Sequence, residues 1–200
     1  MTFSEGHVEA NGVRIRYMEA GEGAPLVHLH ETGGLRLTPA HDLLSRHARV
    51  LAFEMPGQSS GLAATMARAI ETLGLDTFNL MGTSLGATTA LRVTLQAPTR
   101  VLALVLESPR PEDRDADLER RLADLATPTL VLYGAKDDAA APAMGRVYKA
   151  LMPNCHLVFV YDTARAIGSE RPEAFAEVVG DFLERREAFV ISRAGTVIHP

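Results

Sequence analysis

Gly82-Thr83-Ser84-Leu85-Gly86 is a G-x-S-x-G pentapeptide with an apolar run before it, Phe78-Asn79-Leu80-Met81, and a helix-forming run after it, Leu85 to Ala97. The pattern reads as a strand, a sharp turn and a helix, with Ser84 at the apex of the turn. Glycine is needed on both sides because a side chain there would collide with neighbouring backbone. A serine presented in this way is a candidate nucleophile. The plainer reading, a Gly-rich turn with a surface serine, does not account for flanks that match a nucleophile elbow on both sides.

Outward from the elbow, apolar runs and helix-period runs alternate. An opening hairpin is predicted from Val8 to Ala10 and Val13 to Met18, joined at Asn11-Gly12, a strong two-residue turn signal. Further strands are predicted at Leu26–His30, Val50–Phe53, Thr77–Met81, Val101–Glu107, Thr129–Tyr133 and His156–Tyr161. Helices are predicted at Pro39–His47, Leu62–Leu73, Leu85–Gln96, Arg114–Leu125, Pro142–Leu151 and Pro172–Glu187. Strands linked by crossover helices imply an α/β architecture with a mostly parallel sheet. A chain of 200 residues, 46% hydrophobic, can bury one substantial core. One domain is expected over residues 1–187, followed by a tail at 188–200 whose sequence fits an edge strand, a packed segment or a loose end equally.

At this point the chain resembles the α/β-hydrolase fold superfamily, from about Gly12 to about Arg186. Pro25-Leu-Val-His-Leu-His30 with Glu31-Thr32-Gly33-Gly34 resembles the strand and H-G-x-G-G loop that supply half of that family's oxyanion hole. Val50-Leu-Ala-Phe-Glu-Met-Pro-Gly57 resembles the next strand and its D-x-P-G turn. Thr127 to Asp137 resembles the strand and G-x-x-D turn carrying the triad acid, and Glu170-Arg-Pro-Glu-Ala-Phe175 the E-x-P-x-x-F opening of the last helix. The resemblance implies an eight-stranded, mostly parallel sheet with helices on both faces. It implies Ser84 as nucleophile, Asp137 as acid, and the N–H groups of Leu85 and Thr32 as oxyanion donors. Asp138 and Glu107 are alternative acids.

The same resemblance exposes departures. The family places its triad histidine in a G-H dipeptide five residues before the glutamate of the last helix; here that dipeptide is Ala164-Arg165. A general base needs a lone pair and a pKa near the working pH. Guanidinium stays protonated and accepts no hydrogen bond. Arg165 is expected to pair with Asp137 instead. Of the seven histidines, His28 and His30 are read as strand or loop residues with a structural role, and His41 and His47 as solvated helix surface. Glu31 stands where the family has glycine, and the turn Pro56 to Gly61 looks shortened. Between Glu107 and Thr127, where many relatives insert a cap domain, only one amphipathic helix is predicted, with Leu118, Leu122 and Leu125 inward. The site is therefore expected to be open to solvent, and small acyl esters are the implied substrate class.

Two functions follow as expectations. One is a serine ester hydrolase of very weak activity; the other is a non-catalytic hydrolase-fold scaffold, either a degenerate relative or a shortened and redesigned protein. A net charge of −5 and a pI near 5.8 argue against nucleic acid or an anionic membrane as partner. The start of the chain lacks the features of a signal peptide, and no run is long enough to cross a membrane, so a cytoplasmic location is expected. Cys155 is alone, which forbids an internal disulfide, and no Cys/His spacing points to a metal. No cofactor and no metal are expected. Oligomeric state and substrate identity are not readable.

Overall fold

The computed structural model describes residues 2–30, 34–57, 61–110, 116–138 and 140–189. Strands β1 (Ser4–Ala10) and β2 (Val13–Ala20) form the opening hairpin. Its turn puts Asn11 at φ 51° and Gly12 at φ 76°, the left-handed pair that a tight two-residue hairpin requires. The remaining strands are β3 (Pro25–Leu29), β4 (Arg49–Phe53), β5 (Phe78–Thr83), β6 (Val101–Glu107), β7 (Thr129–Gly134) and β8 (Cys155–Val160). Helices are α1 (Pro39–Leu44), α2 (Leu62–Thr72), α3 (Leu85–Gln96), α4 (Ala116–Leu122), α5 (Ala141–Leu151), α6 (Ile167–Glu170) and α7 (Pro172–Arg185).

All eight strands join one sheet in the order β1-β2-β4-β3-β5-β6-β7-β8. The hairpin and the β2/β4 pair are antiparallel; from β4 to β8 every pairing is parallel. Period-2 alternation sends side chains of each strand into two cores. Leu104, Leu106, Val131 and Tyr133 face one, with Met66, Leu91 and Tyr148 from the helices; Val105, Leu130 and Leu132 face the other, with Leu44, Phe175 and Phe182. Each such side chain, fully buried, contributes about 2 kcal/mol of transfer free energy. Helices α2, α3, α4 and α5 therefore cover one face, and α1, α6 and α7 the other.

The chain moves from β3 outward to β4, crosses back to β5, and then proceeds in the opposite direction to β6, β7 and β8. The order reverses between β3 and β5, and in such sheets ligands bind at the carboxyl ends of the strands flanking the reversal. His30 follows β3 and Ser84 follows β5. Between β6 and β7 the described residues hold only the short helix α4, with Leu118 and Leu122 buried as its spacing predicts and no cap domain. The sequence reading missed α6, and it extended the last helix to Glu187, whereas α7 ends at Arg185 and is followed by a 3-10 turn at Arg186–Ala188. No helix among the described residues is long and apolar enough to cross a membrane. Residues 190–200, most of the expected tail, lie outside the described residues.

Candidate active site

Ser84 sits at φ 55° and ψ −117°, a backbone conformation that costs a non-glycine residue on the order of 1–3 kcal/mol. The surroundings fix it there. A Cβ on Gly82 would lie 2.5 Å from Gly86 O and 2.6 Å from Ala87 Cα; one on Gly86 would lie 2.0 Å from Leu29 O. The turn thus packs backbone on backbone with no room for side chains. Ser84 N–H donates to Glu107 O at 2.9 Å, tying the turn to the end of β6. Leu85 opens α3, in the first turn where backbone amides have no acceptor within the helix, so its N–H is available to an oxyanion.

Ser84 Oγ is buried and has no hydrogen-bond partner among the described residues. It lines a cavity of about 260 Å³ together with His28, His30, Thr38, His41, Glu107 and Arg165. Ser84 is only 1% exposed, so the expectation of a site open to solvent is not met at the serine. The reason is local: without a cap, the segment after β3 (His30, Arg36, Thr38) and the segment before and within α6 (Arg165, Ala166, Gly168, Ser169) wall the cavity themselves. Thr32 and Glu31, expected in the oxyanion loop, and the 58–60 part of the shortened turn lie outside the described residues.

Asp137 and Arg165 come together, though not as expected. The Arg165 guanidinium bridges two acids: Nε lies 3.5 Å from Asp137 Oδ1, while Nη2 donates to Asp138 Oδ2 at 2.9 Å. Asp138 is the closer partner. Asp138 Oδ1 also accepts from Ala140 N–H and Ala141 N–H at 3.0 and 3.1 Å, which caps the start of α5. Asp138 is therefore a turn-capping acid in addition to an exposed one. Asp137 lines a second cavity of about 200 Å³, and Arg165 lines both cavities. The loop carrying Arg165 is held by backbone packing and by hydrogen bonds, among them Ser108 Oγ donating to Arg165 O at 3.3 Å. A Cβ on Gly134 would fall 1.8 Å from Ala164 O, so glycine is what allows that approach. Glu170 accepts from Thr163 Oγ1 and Ala164 N–H at 2.8 and 2.9 Å. The Ala164 N–H bond is the main reason its carboxyl titrates below the usual range.

The opposite wall holds a polar chain that the sequence reading missed. His41 is not solvated surface: at 2% exposure it is as buried as His28, because α1 starts at Pro39 and turns its third residue in toward β3. Thr38 N–H, which can only donate, meets His41 Nδ1 at 2.9 Å. A neutral His41 ring then carries its proton on Nε2, which donates to His28 Nδ1 at 2.8 Å. His28 Nε2–H in turn donates to Thr83 Oγ1 at 2.8 Å, and Thr83 Oγ1–H to Glu107 Oε2 at 2.8 Å. Gly168 N–H closes the chain on Glu107 Oε1 at 3.1 Å. Every bond runs the same way toward the carboxylate. Burial, with repulsion from the neighbouring rings, holds the His28 pKa well below its ordinary value and lowers that of His41 to about 4. The single thiol, Cys155, is buried at the start of β8, and desolvation pushes its pKa up to about 12, the inert state its position suggests.

Glu107, named in the sequence only as an alternative acid, is the anchor of this chain. His28 and His30 stand two apart on a strand and its extension, a same-face spacing that hints at their contact. Nothing in the spacing hints at His41.

The pattern of the alpha/beta hydrolase fold family matches residues 39–124, which include the elbow. The chain has the α/β-hydrolase fold. It is 31% identical over 119 residues to the dihydrolipoyllysine-residue acetyltransferase component of the acetoin cleaving system of Cupriavidus necator, covering 50% of this chain and 31% of that protein. It is 33% identical over 105 residues to the (E)-2-((N-methylformamido)methylene)succinate hydrolase of Acinetobacter baylyi, covering 46% of this chain and 40% of that protein. Both matches thus span well under half the length of the relative. Among solved structures, a carboxylesterase of Bacillus subtilis superposes with a TM-score of 0.77 at 18% identity, over 92% of each chain. The fold is the one that the elbow and its neighbouring landmarks imply.

Proposed function

We propose that this chain is a serine-hydrolase relative in which the nucleophile elbow persists and the general base does not, so that turnover of small acyl esters is very weak or absent. The observation that carries the reading is Arg165, which lines both the Ser84 cavity and the cavity that holds Asp137 and pairs with Asp137 and Asp138. A permanently protonated guanidinium takes no proton from Ser84, and Ser84 Oγ has no other described acceptor. Losing the histidine of a serine triad costs roughly a million-fold in turnover, while oxyanion and binding terms leave about 10³ to 10⁴ over water. Ser84 and the Leu85 N–H would supply that residue of activity. The alternative, a hydrolase-fold scaffold with no turnover, draws on the same ion pair, which turns the acid of the triad into a structural group.

The test is hydrolysis of a short-chain nitrophenyl ester, in buffer containing a chelator, by the chain as it stands and by its Arg165→His and Ser84→Ala variants. Arg165→His is expected to raise turnover by orders of magnitude, and Ser84→Ala to remove the gain when both changes are combined. A wild-type rate typical of competent esterases that vanishes in Ser84→Ala alone would overturn the reading.

A further inference from the structure

The three imidazoles in the cavity wall come from separate places: His28 from within β3, His30 from just beyond it, and His41 from α1. Ring centroids are 4.9 Å apart for His28 and His30, 5.0 Å for His28 and His41, and 6.2 Å for His30 and His41. One nitrogen of each ring lies within 4.8 Å of the corresponding atoms of the other two. Three imidazole nitrogens within 4.8 Å of one another, two of them on rings almost wholly removed from water, can serve as the donor set of a three-histidine transition-metal site.

We propose that His28, His30 and His41 form a binding site for a borderline divalent transition-metal ion, of which Zn²⁺ is the representative, with its open coordination position directed into the Ser84 cavity. The proposal does not depend on the role assigned to Arg165.

Two features argue for a site over a mere cluster. The first is the outer layer. With His28 Nδ1 on the ion, its Nε2–H keeps the bond to Thr83 Oγ1, and Thr83 keeps its bond to Glu107. A ligating histidine oriented through its second nitrogen by a hydrogen-bonded carboxylate is how metal sites fix ring and tautomer. Glu107 also supplies a buried negative charge at the end of that hydrogen-bond chain. For His41, binding through Nε2 moves the ring proton to Nδ1, where Thr38 Oγ1 stands at 2.9 Å to accept it. The exchange costs the Thr38 N–H bond to Nδ1, one neutral hydrogen bond.

The second feature is spacing. Zinc–nitrogen bonds of about 2.0–2.1 Å in a tetrahedron separate their nitrogens by about 3.3 Å. His28 Nδ1 and His41 Nε2 are 2.8 Å apart across a shared proton, so replacing that proton with an ion asks the pair to open by about half an ångström. The two rings must also tilt off their shared line, and the His30 nitrogen, within 4.8 Å of the others, must close by up to about 1.5 Å, movements that χ rotations of three side chains on separate segments can supply. With three protein ligands the fourth position belongs to water or a ligand in the cavity, the arrangement of an open site.

The test uses the untagged full chain, stripped with a chelator, dialysed and titrated with Zn²⁺ by calorimetry, and loaded separately with Co²⁺ for its visible spectrum. One Zn²⁺ per chain is expected, together with the strong d–d absorption of four-coordinate Co²⁺. His30→Gln, at the half-buried ligand, is expected to weaken Zn²⁺ binding by about 100-fold or more. Thr83→Val, which cuts His28 from Glu107, should weaken it about 10-fold. His7→Gln, His47→Gln and His199→Gln should leave it unchanged. Absence of saturable binding, a weak six-coordinate Co²⁺ spectrum, or undiminished binding in His30→Gln overturns the proposal. Because the Co²⁺ spectrum is read on the unmutated chain, the outcome holds even if a variant fails to fold. Failure here leaves the ester assay, run in chelator, untouched.

Discussion

The two sides of the Ser84 cavity are built on different principles. The elbow is built from backbone: Gly82 and Gly86 admit no Cβ, Ser84 is held at positive φ, and its N–H is tied to β6. The side formed by the turn after β7 and the loop after β8 is built from charge: Arg165 and Asp138, both exposed, pair with each other, and Arg165 also pairs with the buried side chain of Asp137. A side made by steric exclusion tolerates almost no substitution. One made by charge pairing accepts any residue that brings a compatible charge or hydrogen bond. On the function proposed above, the difference lets a chain keep the elbow while Arg165 takes the place of a general base.

The largest effect should come from breaking the backbone side. Gly86→Ala places a methyl group 2.0 Å from Leu29 O and 2.8 Å from His30 O, contacts that no rotamer can relieve because both partners are main chain at the end of β3. Denaturant unfolding should show a loss of about 4 kcal/mol or more, among the largest values for a single substitution. A loss below about 1 kcal/mol would mean that the elbow yields, and the contrast between the two sides would disappear.

The histidine chain sets up a pH dependence between these extremes. His41 binds its proton at about 4 when folded and near its ordinary value of 6.5 when unfolded, because burial and the His30 ring oppose its charge. Between those values the unfolded chain holds more protons, so stability rises with pH. It is complete above about 6.5 and lost as the pH falls toward 4. For His41 alone the change is about 3 kcal/mol, and His28, whose pKa is also lowered by burial, acts in the same direction. Asp42, on the same helix, works weakly against it. Urea unfolding of metal-free protein at pH 7.5 and pH 4.5 checks the sign, and His41→Gln, which does not titrate, should flatten part of the slope.

These contrasts also account for what could be read from the sequence. The strands, α3 with its flanking glycines, and the hairpin at Asn11-Gly12 were legible because each is dictated by local sterics or by strict periodicity. Ser84 was legible for the same reason. The burial of Ser84 was not, since it depends on how two loops remote in sequence close over β5. His41 was misread because a polar residue near a helix start is ordinarily solvated, and only the placement of α1 against β3 turns it inward. The role of Glu107 was hidden because a strand-terminal carboxylate looks alike whether it meets water or, as here, Thr83 and Gly168 N–H. Arg165 pairs with Asp137 as the sequence suggested, but its closer partner is Asp138, a distinction of one residue within a turn.

The smallest expected effect comes from the charged side. Arg165 is 46% exposed and Asp138 58% exposed, so their pairing works in a high-dielectric setting and is screened by salt. Asp137, only 6% exposed at its side chain, is the member that notices the loss most, but its Oδ1 also accepts from Asp138 N–H at 2.8 Å and keeps that partner. The loop itself stays anchored by Glu170, by the backbone packing over Gly134, and by Ser108 Oγ donating to Arg165 O, none of which uses the guanidinium. Arg165→Ala should therefore cost no more than about 1 kcal/mol, and less in 1 M salt than at low ionic strength. A loss of several kcal/mol, insensitive to salt, would mean that Arg165 neutralises Asp137 as a buried charge. The arginine would then be a structural necessity of this chain, and Arg165→His would have to recover stability before it could recover turnover.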